Sequence, residues 1–184
     1  MRRKPRGFTL IEAVICLVVA AILFGIAVDT WSEAAARVQS NAARNTMLAS
    51  IETASRHALV AGSEVVMCPG SRDSGCNGSY DWSGGWIAFA DIDGDRTRDP
   101  IDTLLRDDGP LDHRVRLLTS PGRRRLVFRP NGGNAGSNAT FTICDTRGPA
   151  DAEALVLANN GRFRSGRPKE AIRRECARRL RAGR

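Results

Sequence analysis

The sequence is poor in the side chains that most enzymes rely on. Among its 184 residues are two histidines (His57 and His113), one tyrosine and two lysines (Lys4 and Lys169). We find no paired-carboxylate or Ser-His-Asp arrangement that would support a hydrolase. So few histidines leave little material for acid–base catalysis or a histidine-rich metal centre. We therefore expect a protein that is not an enzyme and that carries no cofactor and no metal.

The N-terminus lacks a normal signal-peptide cleavage site. A basic leader, residues 1–7, precedes an apolar segment with no charge between Ala13 and Val28, and no small-x-small site follows it. A helix over residues 8–28 would be about 31 Å long, enough to cross the hydrocarbon core. We expect this segment to remain as a transmembrane helix, with the leader in the cytoplasm and the remaining chain outside.

Positive charge is concentrated at the two ends of the chain. Between residues 8 and 160 there are 14 basic and 18 acidic residues, whereas residues 161–184 hold ten basic and two acidic residues. This asymmetry indicates anionic partners at both ends, membrane head groups at one and nucleic acid at the other. Arginine-rich codon usage would explain the choice of arginine over lysine, but not the crowding in the last 24 residues.

Glu12 is an isolated carboxylate in the apolar segment, where it costs about 2.5–3.5 kcal/mol and needs a partner. The run Gly7-Phe8-Thr9-Leu10-Ile11-Glu12 behind a short basic leader resembles the class III signal of type IV pilins and pseudopilins. The resemblance implies cleavage by prepilin peptidase between Gly7 and Phe8, N-methylation of Phe8, and pairing of Glu12 with the Phe8 amine of a neighbouring subunit. The alternative is an ordinary signal anchor with a stray glutamate.

Beyond the apolar segment, the pattern predicts one helix followed by a β-rich head. Apolar residues at spacings near three and four predict that the helix continues through residues 29–62, with a buried stripe of Trp31, Ala35, Val38, Ala42, Leu48, Ile51 and Ala58. Short β-prone runs follow between Gly, Pro, Asn and Asp clusters. Strands after a single helix indicate an α+β fold with a mainly antiparallel sheet. The candidate strands are 65–67, 86–90, 115–118, 126–128, 141–144 and 155–158.

Four cysteines lie beyond the apolar segment, and an even number in an exported domain suggests disulfides. Three pairings are possible, and we favour Cys68 with Cys76 and Cys144 with Cys176. Zinc is the competing interpretation, but no C-x-x-C pair or nearby histidine supports it. Cys16, inside the apolar segment, is interpreted as a small apolar side chain.

The head contains further motifs of a known family. The runs Gly85–Asp91, Phe128–Gly132 and Phe141–Cys144 are similar to the head of the GspH/FimT family of minor pilins and pseudopilins. The resemblance implies a type IV pilin-like fold, with a family-like head over residues 63–160 and a basic C-terminal segment over residues 161–184. It is closest to FimT-type minor pilins.

Alternate carboxylates at Asp91, Asp93, Asp95 and Asp99 are also compatible with calcium. The run lacks the terminal glutamate of an EF-hand, and a turn built from Asp and Gly explains it equally well. We expect no metal site, and no calcium binding tighter than millimolar.

Gly161-Arg162-Phe163-Arg164 resembles a Gly-Arg-x-Arg motif that is implicated in DNA uptake by FimT-type proteins. Arginines at alternate positions of an extended segment project to one side and can contact successive phosphates, while Phe163 points the other way. The competing interpretation is a solvated turn.

After Pro168, apolar residues at four-residue steps predict a short amphipathic helix that extends the DNA-binding face or lies on lipid or an acidic partner. The candidate DNA-binding residues are Gly161, Arg162, Arg164, Arg167, Lys169, Arg173 and Arg174.

Two functions follow. The first is a minor type IV pilin that assembles with other pilins and binds double-stranded DNA, independently of sequence, for natural transformation. The second is a structural pseudopilin of a type II secretion system without DNA binding. In the first case we expect the protein in the inner membrane, with its head in the periplasm, before assembly and in a surface pilus afterwards.

Overall fold

The computed structural model describes residues 9–136 and 138–183, except for the side chains of residues 26–30. Gly7 and Phe8 lie outside the described residues. Helix α1 spans Leu10–Ala61 and helix α2 spans Glu170–Ala182, with a 3-10 turn at Pro149–Asp151 between strands β7 and β8. The described strands are β1 (Glu64–Ser71), β2 (Gly75–Cys76), β3 (Trp86–Asp91), β4 (Thr103–Asp108), β5 (Val115–Thr119), β6 (Leu126–Phe128), β7 (Ala139–Asp145), β8 (Glu153–Leu157) and β9 (Phe163–Gly166).

The chain divides into two compact units, one up to Ala35 and the other from Ala36 onward. The first unit contains the N-terminal part of α1, where the apolar side chains from Leu10 to Phe24 are exposed. The second unit contains the rest of α1, both sheets and α2.

Two antiparallel sheets form the second unit. One has the order β2-β1-β3-β4 with β6 beside β1, and the other has the order β5-β7-β8-β9. Pairing within both sheets is antiparallel throughout the described strands. The predicted α+β fold, a long N-terminal helix packed on mainly antiparallel sheets, is confirmed.

The main core lies between α1 and the inner faces of both sheets. It contains Met47, Ile51 and Ala54 of α1 together with Met67 of β1 and Leu117 of β5. Trp82 and Trp86 are fully buried in this core, and their indole N–H groups donate to Thr119 Oγ1 and Ser50 Oγ, each at 3.1 Å. The packing of α1 against the sheets thus follows from apolar side chains on one face of the helix and at alternate positions of the strands.

The buried stripe of α1 differs from the one expected. Ile51 and Ala58 are buried as predicted, but Trp31 is 78% exposed and Val38 is 64% exposed, and Ala42 is exposed as well. The stripe instead follows small residues and one methionine: Ala36, Ser40, Ala43, Met47, Ser50, Ala54 and Ala58. Two apolar series with the same helical period run along neighbouring faces, so the period alone does not identify the one that packs.

Six of the nine described strands coincide with expected runs. The sequence analysis missed β2, β4 and β9. Strand β4 is an edge strand with the sequence TLLRDD, and its charged half obscures the alternation expected of a strand. Strand β9 is also at an edge and exposed along its length, so residues 163–166 are built into a sheet of the head rather than following it as a separate tail.

Both disulfides join the pairs that the sequence analysis favoured. Cys68 bonds to Cys76 eight residues later, and Cys144 of β7 bonds to Cys176 of α2 across a separation of 32 residues. The second bond lies in a small cluster of buried residues with Leu118 and Ala152. It therefore holds α2 against the outer face of the β5-β7-β8-β9 sheet.

A buried polar network joins α1 to the end of β7. Asp145 is 1% exposed and accepts hydrogen bonds from Ser40 Oγ at 2.6 Å and from the Arg147 guanidinium at 2.6 and 3.0 Å. Burial opposes ionisation of this carboxyl, but the hydrogen bonds from Arg147 and Ser40 outweigh it and lower the pKa of Asp145.

Candidate nucleic-acid interface

A tight hairpin between β8 and β9 presents the Gly-Arg-x-Arg motif. The N–H of Gly161 donates to the carbonyl of Ala158 at 3.0 Å, and the N–H of Ala158 donates to the carbonyl of Arg162 at 2.9 Å. Gly161 has φ of +78°, the left-handed conformation that closes a three-residue hairpin loop and that glycine adopts without strain. The glycine of the motif therefore shapes the turn, which is a structural role in addition to the proposed close approach to a ligand.

The two arginines of the motif project from the same face of the sheet. Arg164 lies opposite Val156 in the register, on the face to which α2 is attached, and Arg162 precedes it by two positions. Phe163 lies on the other face, where it lines an apolar cavity with Leu48, Leu59, Phe128 and Leu157. The arginines and Phe163 thus lie on opposite faces, as expected, but Phe163 is 38% exposed and is not packed in the core.

The basic side chains around β9 are available to a ligand. Arg162, Arg164, Arg167 and Lys169 are all exposed. In the described part of the chain, none of their side chains makes a hydrogen bond or an ion pair, whereas Ser165 on the opposite face accepts one from Arg44 at 2.8 Å. Four unneutralised cations on one segment of eight residues form a positive surface, here called the β9 surface.

The α2 arginines named in the sequence analysis are already engaged. Arg173 is partly buried and donates to the carbonyl of Pro149 at 3.3 Å, while Arg174 pairs with Glu170 one turn earlier. The structure therefore brings Arg162, Arg164, Arg167 and Lys169 together as free cations, and it places Arg173 and Arg174 in intramolecular contacts. Sequence spacing could not separate these groups, because both lie in the same basic run.

Other charges of α2 also serve the fold. Arg179 contacts the Tyr80 hydroxyl and lies 4.7 Å from the centre of its ring. Arg179 and Arg178 both donate to Glu175, and these hydrogen bonds lower the pKa of that carboxyl. Some of the arginines of α2 therefore stabilise the helix and its packing against the head.

Sequence reasoning missed a second basic surface on the other sheet. Two neighbouring cavities of about 440 and 470 Å³ share Arg96, Arg124 and Arg125 in their walls, and among the described residues no acidic side chain lines either one. Arg125 Nη1 donates to the carbonyl of Arg96 at 3.2 Å, and Arg96 pairs with Glu64 at 3.1 Å. The run of three arginines at 123–125 was the available signal, although it was interpreted only as a charged turn.

A glycine-rich loop connects the two basic surfaces. The N–H of Asn134 donates to the carbonyl of Asn159 in the β8–β9 hairpin, at 2.9 Å. On its other side, Arg123 Nη1 donates to the carbonyl of Ala135 at 3.0 Å. Hydrogen bonds therefore link this loop both to the β8–β9 hairpin and to Arg123, which lines one of the two arginine cavities.

The aspartate run of the sequence analysis lies in the loop after β3. One carboxylate oxygen from each of Asp91, Asp93 and Asp95 lies within 4.8 Å of the others, so these residues are the group of the described chain able to hold a metal ion. Burial raises the pKa of Asp91, against the opposing hydrogen bonds from the N–H groups of Arg96 and Gly94.

Glu12 takes part in a capping box at the start of α1. The N–H of Glu12 donates to Thr9 Oγ1 at 3.3 Å, and Glu12 Oε2 accepts from the N–H of Thr9 at 3.4 Å. This reciprocal arrangement satisfies two N–H groups that a helix start otherwise leaves unpaired. Glu12 therefore has a local role in addition to the one that the pilin resemblance implies.

The comparison with family models agrees with this architecture. Residues 43–161 match the family described as type II transport protein GspH, and residues 2–28 match the prokaryotic N-terminal methylation motif. The chain belongs to the GspH family. It is a minor pilin or pseudopilin of the GspH type, a structural class of filament subunit and not an enzyme class.

Solved structures of similar proteins show the same fold. The type IV minor pilin FimU of Pseudomonas aeruginosa, in two crystal forms, aligns with TM-scores of 0.54 and 0.50 at 16% identity, and the first alignment covers 73% of this chain and 92% of FimU. The minor pseudopilin EpsH of the Vibrio cholerae type 2 secretion system aligns with a TM-score of 0.51 at 10% identity, over 71% of this chain and 98% of EpsH. No curated protein sequence matches the chain. At these identities the likeness establishes the fold of this GspH-family protein.

For a GspH-family protein, the methylation motif implies anchoring in a membrane before assembly into a filament. The sequence analysis expects residues 8–28 to span the membrane. Over the residues that the structure describes, no helix is both long and apolar enough to qualify as a membrane span.

Proposed function

We propose that this minor pilin binds extracellular double-stranded DNA without sequence preference, as part of a pilus used for natural transformation. The observation that supports the proposal is the β9 surface, where Arg164 of the edge strand and Arg162 just before it are exposed, with no side-chain partner among the described residues. Side chains two positions apart on a strand are about 6.6–7 Å apart, close to the spacing of successive phosphates on a DNA strand. Guanidinium groups bind phosphate oxygens in a bidentate manner.

This interaction would be non-specific and strongly dependent on salt. Contacts to phosphate carry no information about the bases, and each neutralised phosphate contributes about −0.9 to the slope of log K against log salt. Arg167 and Lys169 continue the positive surface beyond β9. Four cations therefore account for a slope of about −3.6 before the arginine cavities contribute.

The alternative is a structural pseudopilin of a type II secretion filament that does not bind DNA. The observation in its favour is the likeness to EpsH, which covers nearly all of that pseudopilin. Under this alternative, the β9 surface would face water or an acidic neighbour in the filament. A DNA-binding measurement distinguishes the two functions.

In a gel shift at low salt, we expect residues 36–184 to bind double-stranded DNA and the variant Arg162→Gln/Arg164→Gln to bind much more weakly. The loss of two phosphate contacts should reduce the magnitude of the salt slope by about 2, because each contact contributes about 0.9. The matched control is Arg37→Gln/Arg56→Gln, which removes two charges from exposed positions on α1.

The outcomes of this measurement are distinct. If the β9 variant binds as tightly as the unchanged head, the motif has no part in binding. If Arg124→Gln/Arg125→Gln is the variant that fails, the arginine cavities are the DNA site. If the unchanged head does not bind at all, the secretion alternative is favoured.

We further propose that prepilin peptidase cleaves after Gly7, that the Phe8 amine is methylated, and that Glu12 pairs with that amine on a neighbouring subunit during assembly. The motif match over residues 2–28 supports the proposal. A carboxylate in an apolar environment gains from a cation within about 4–6 Å. We place the unassembled protein in the inner membrane with its head in the periplasm, and the assembled protein in the pilus.

The capping box permits a test that separates the charge of Glu12 from its local role. Glutamine can also serve as the third residue of a capping box, so Glu12→Gln keeps the helix start and removes the charge. Thr9→Ala removes the capping hydroxyl and keeps the charge of Glu12. We expect sheared filaments to lack the Glu12→Gln protein and to contain Thr9→Ala near the normal amount, as measured by immunoblot. Normal incorporation of Glu12→Gln would show that assembly does not use the charge.

A further inference from the structure

The loop between β3 and β4 concentrates negative charge in a short stretch. From Asp91 to Asp102 it carries five aspartates and two arginines, Arg96 and Arg98. Carboxylates repel one another when they converge, and each additional one raises the free energy of the others in their charged form. Three of the five converge here, with one oxygen each from Asp91, Asp93 and Asp95 mutually within 4.8 Å.

Asp91 supplies an independent indication of a ligand. Its side chain is 3% exposed, and its Oδ1 accepts from the N–H groups of Gly94 at 3.2 Å and Arg96 at 3.3 Å. Its Oδ2 is buried and has no hydrogen-bond partner among the described residues. A buried carboxylate oxygen without a partner is costly, and native proteins almost always satisfy such an atom with a donor, a water or an ion.

The backbone of the loop matches the requirements of a calcium loop. In a twelve-residue calcium loop, ligands come from positions 1, 3 and 5, and position 6 makes a sharp turn that normally needs glycine. Counted from Asp91, those ligand positions are Asp91, Asp93 and Asp95, and position 6 is Arg96. Arg96 has φ of +62° and is the one non-glycine residue with positive φ in the described ranges.

The twelfth position does not act as a ligand. Asp102 Oδ1 accepts from the N–H of Ile92 at 3.0 Å, and its Oδ2 accepts from the N–H of Asp99 at 3.1 Å. Both oxygens are therefore used to close the loop. The remaining ligand set is three carboxylates, which leaves several coordination positions for water.

We propose that Asp91, Asp93 and Asp95 form a calcium site. The sequence analysis expected no metal because the loop lacks the terminal glutamate, and the unpartnered buried oxygen of Asp91 is the observation that changes this expectation. Oxygen ligands select a hard cation, and Ca²⁺ accepts irregular geometry and mixed protein and water ligands more readily than Mg²⁺ does. A site with three carboxylates and no bidentate glutamate belongs to the weak class, with a dissociation constant of about 10⁻⁴–10⁻³ M.

The test compares thermal unfolding of the purified protein in about 5 mM CaCl₂, in about 5 mM MgCl₂ and in excess chelator, together with calorimetric titration of CaCl₂. We expect Ca²⁺ to raise the unfolding temperature and Mg²⁺ to raise it less. The key variant is Asp93→Asn, because this side chain is exposed and its replacement leaves the buried Asp91 network in place. It should weaken Ca²⁺ binding at least tenfold.

Asp73→Asn is the matched control, since it removes one exposed carboxylate outside the loop and should leave the calcium response unchanged. The proposal is overturned if Ca²⁺ gives neither heat nor a shift in unfolding temperature. It is also overturned if Asp93→Asn responds like the unchanged protein, or if Asp73→Asn loses the response to the same extent. None of these outcomes depends on DNA binding.

Discussion

Replacing both Cys144 and Cys176 with alanine is expected to lower the free energy of unfolding by about 3.5–4 kcal/mol. The bond closes a chain segment of 32 residues, and the loop-entropy estimate for that length is about 3.7 kcal/mol. Alanine is the suitable replacement, because both cysteines are fully buried and alanine introduces no new polar group there. Urea unfolding, monitored by circular dichroism, measures the change.

Loss of this bond should also release α2. The helix has 13 residues, a length that is marginal in water without tertiary contacts, and its buried side chains are Cys176, Ala177 and Leu180. We expect trypsin to remove the C-terminal segment of the variant before it cleaves the rest of the head. The control is the Cys68→Ala/Cys76→Ala variant. The disulfide that it removes spans eight residues and should stabilise the folded protein by about 2.5 kcal/mol. Equal stability losses, or a protease-resistant α2 in the first variant, would contradict the assigned role.

Replacement of Asp145 with asparagine should lower the free energy of unfolding by about 3 kcal/mol at pH 7. The substitution keeps the size of the side chain but leaves the guanidinium of Arg147, which is 14% exposed, without its main counter-charge. Asp151→Asn is the control. The Asp151 side chain is 42% exposed and its Oδ1 lies 3.4 Å from Arg147 Nη1, so its removal should change the free energy of unfolding by no more than about 0.5 kcal/mol. Chemical unfolding of the three proteins under identical conditions gives the comparison.

The effect of Asp145 should depend on pH in a defined direction. Because the pKa of Asp145 is lowered in the folded protein, its contribution is complete above the unfolded value near 4 and is lost as the pH falls through the folded value. Asp112 behaves similarly, since its hydrogen bonds from Arg114 hold its pKa well below the usual range. The difference in the free energy of unfolding between Asp145→Asn and the unchanged protein should therefore become smaller as the pH falls from 7 to 3. A difference that is constant over this range would rule out the ionised carboxylate as its origin.

The sequence specified the class of the fold because its strongest signals are local. The end of α1 at Gly62 follows from a left-handed glycine, with φ of +69° and an N–H that donates to the carbonyl of Ala58 at 3.1 Å. The buried strands β1 and β3 have continuous apolar runs between turn residues, and β7 alternates threonine with larger apolar residues. Each of these features depends on neighbours in the chain and needs no knowledge of tertiary contacts.

The candidate site was less predictable because it depends on long-range contacts. Arg162 and Arg173 look alike in the sequence, yet one is exposed and the other bonds to the carbonyl of Pro149, 24 residues away in the chain. Arg96 and Arg125 are 29 residues apart and meet only because the β3–β4 loop folds over the start of β6. Which arginines remain free is thus decided by packing, and spacing carries no information on it.

Strand β9 is an edge strand of its sheet, and among the described strands it pairs with β8 alone. A strand of a second copy can pair with such an edge strand, and charged side chains on the edge are one feature that prevents this pairing. We therefore expect Arg162 and Arg164 to act also as a safeguard against self-association. Neutralising them removes that safeguard, so the oligomeric state of the glutamine variant must be established by light scattering before its behaviour toward DNA is interpreted.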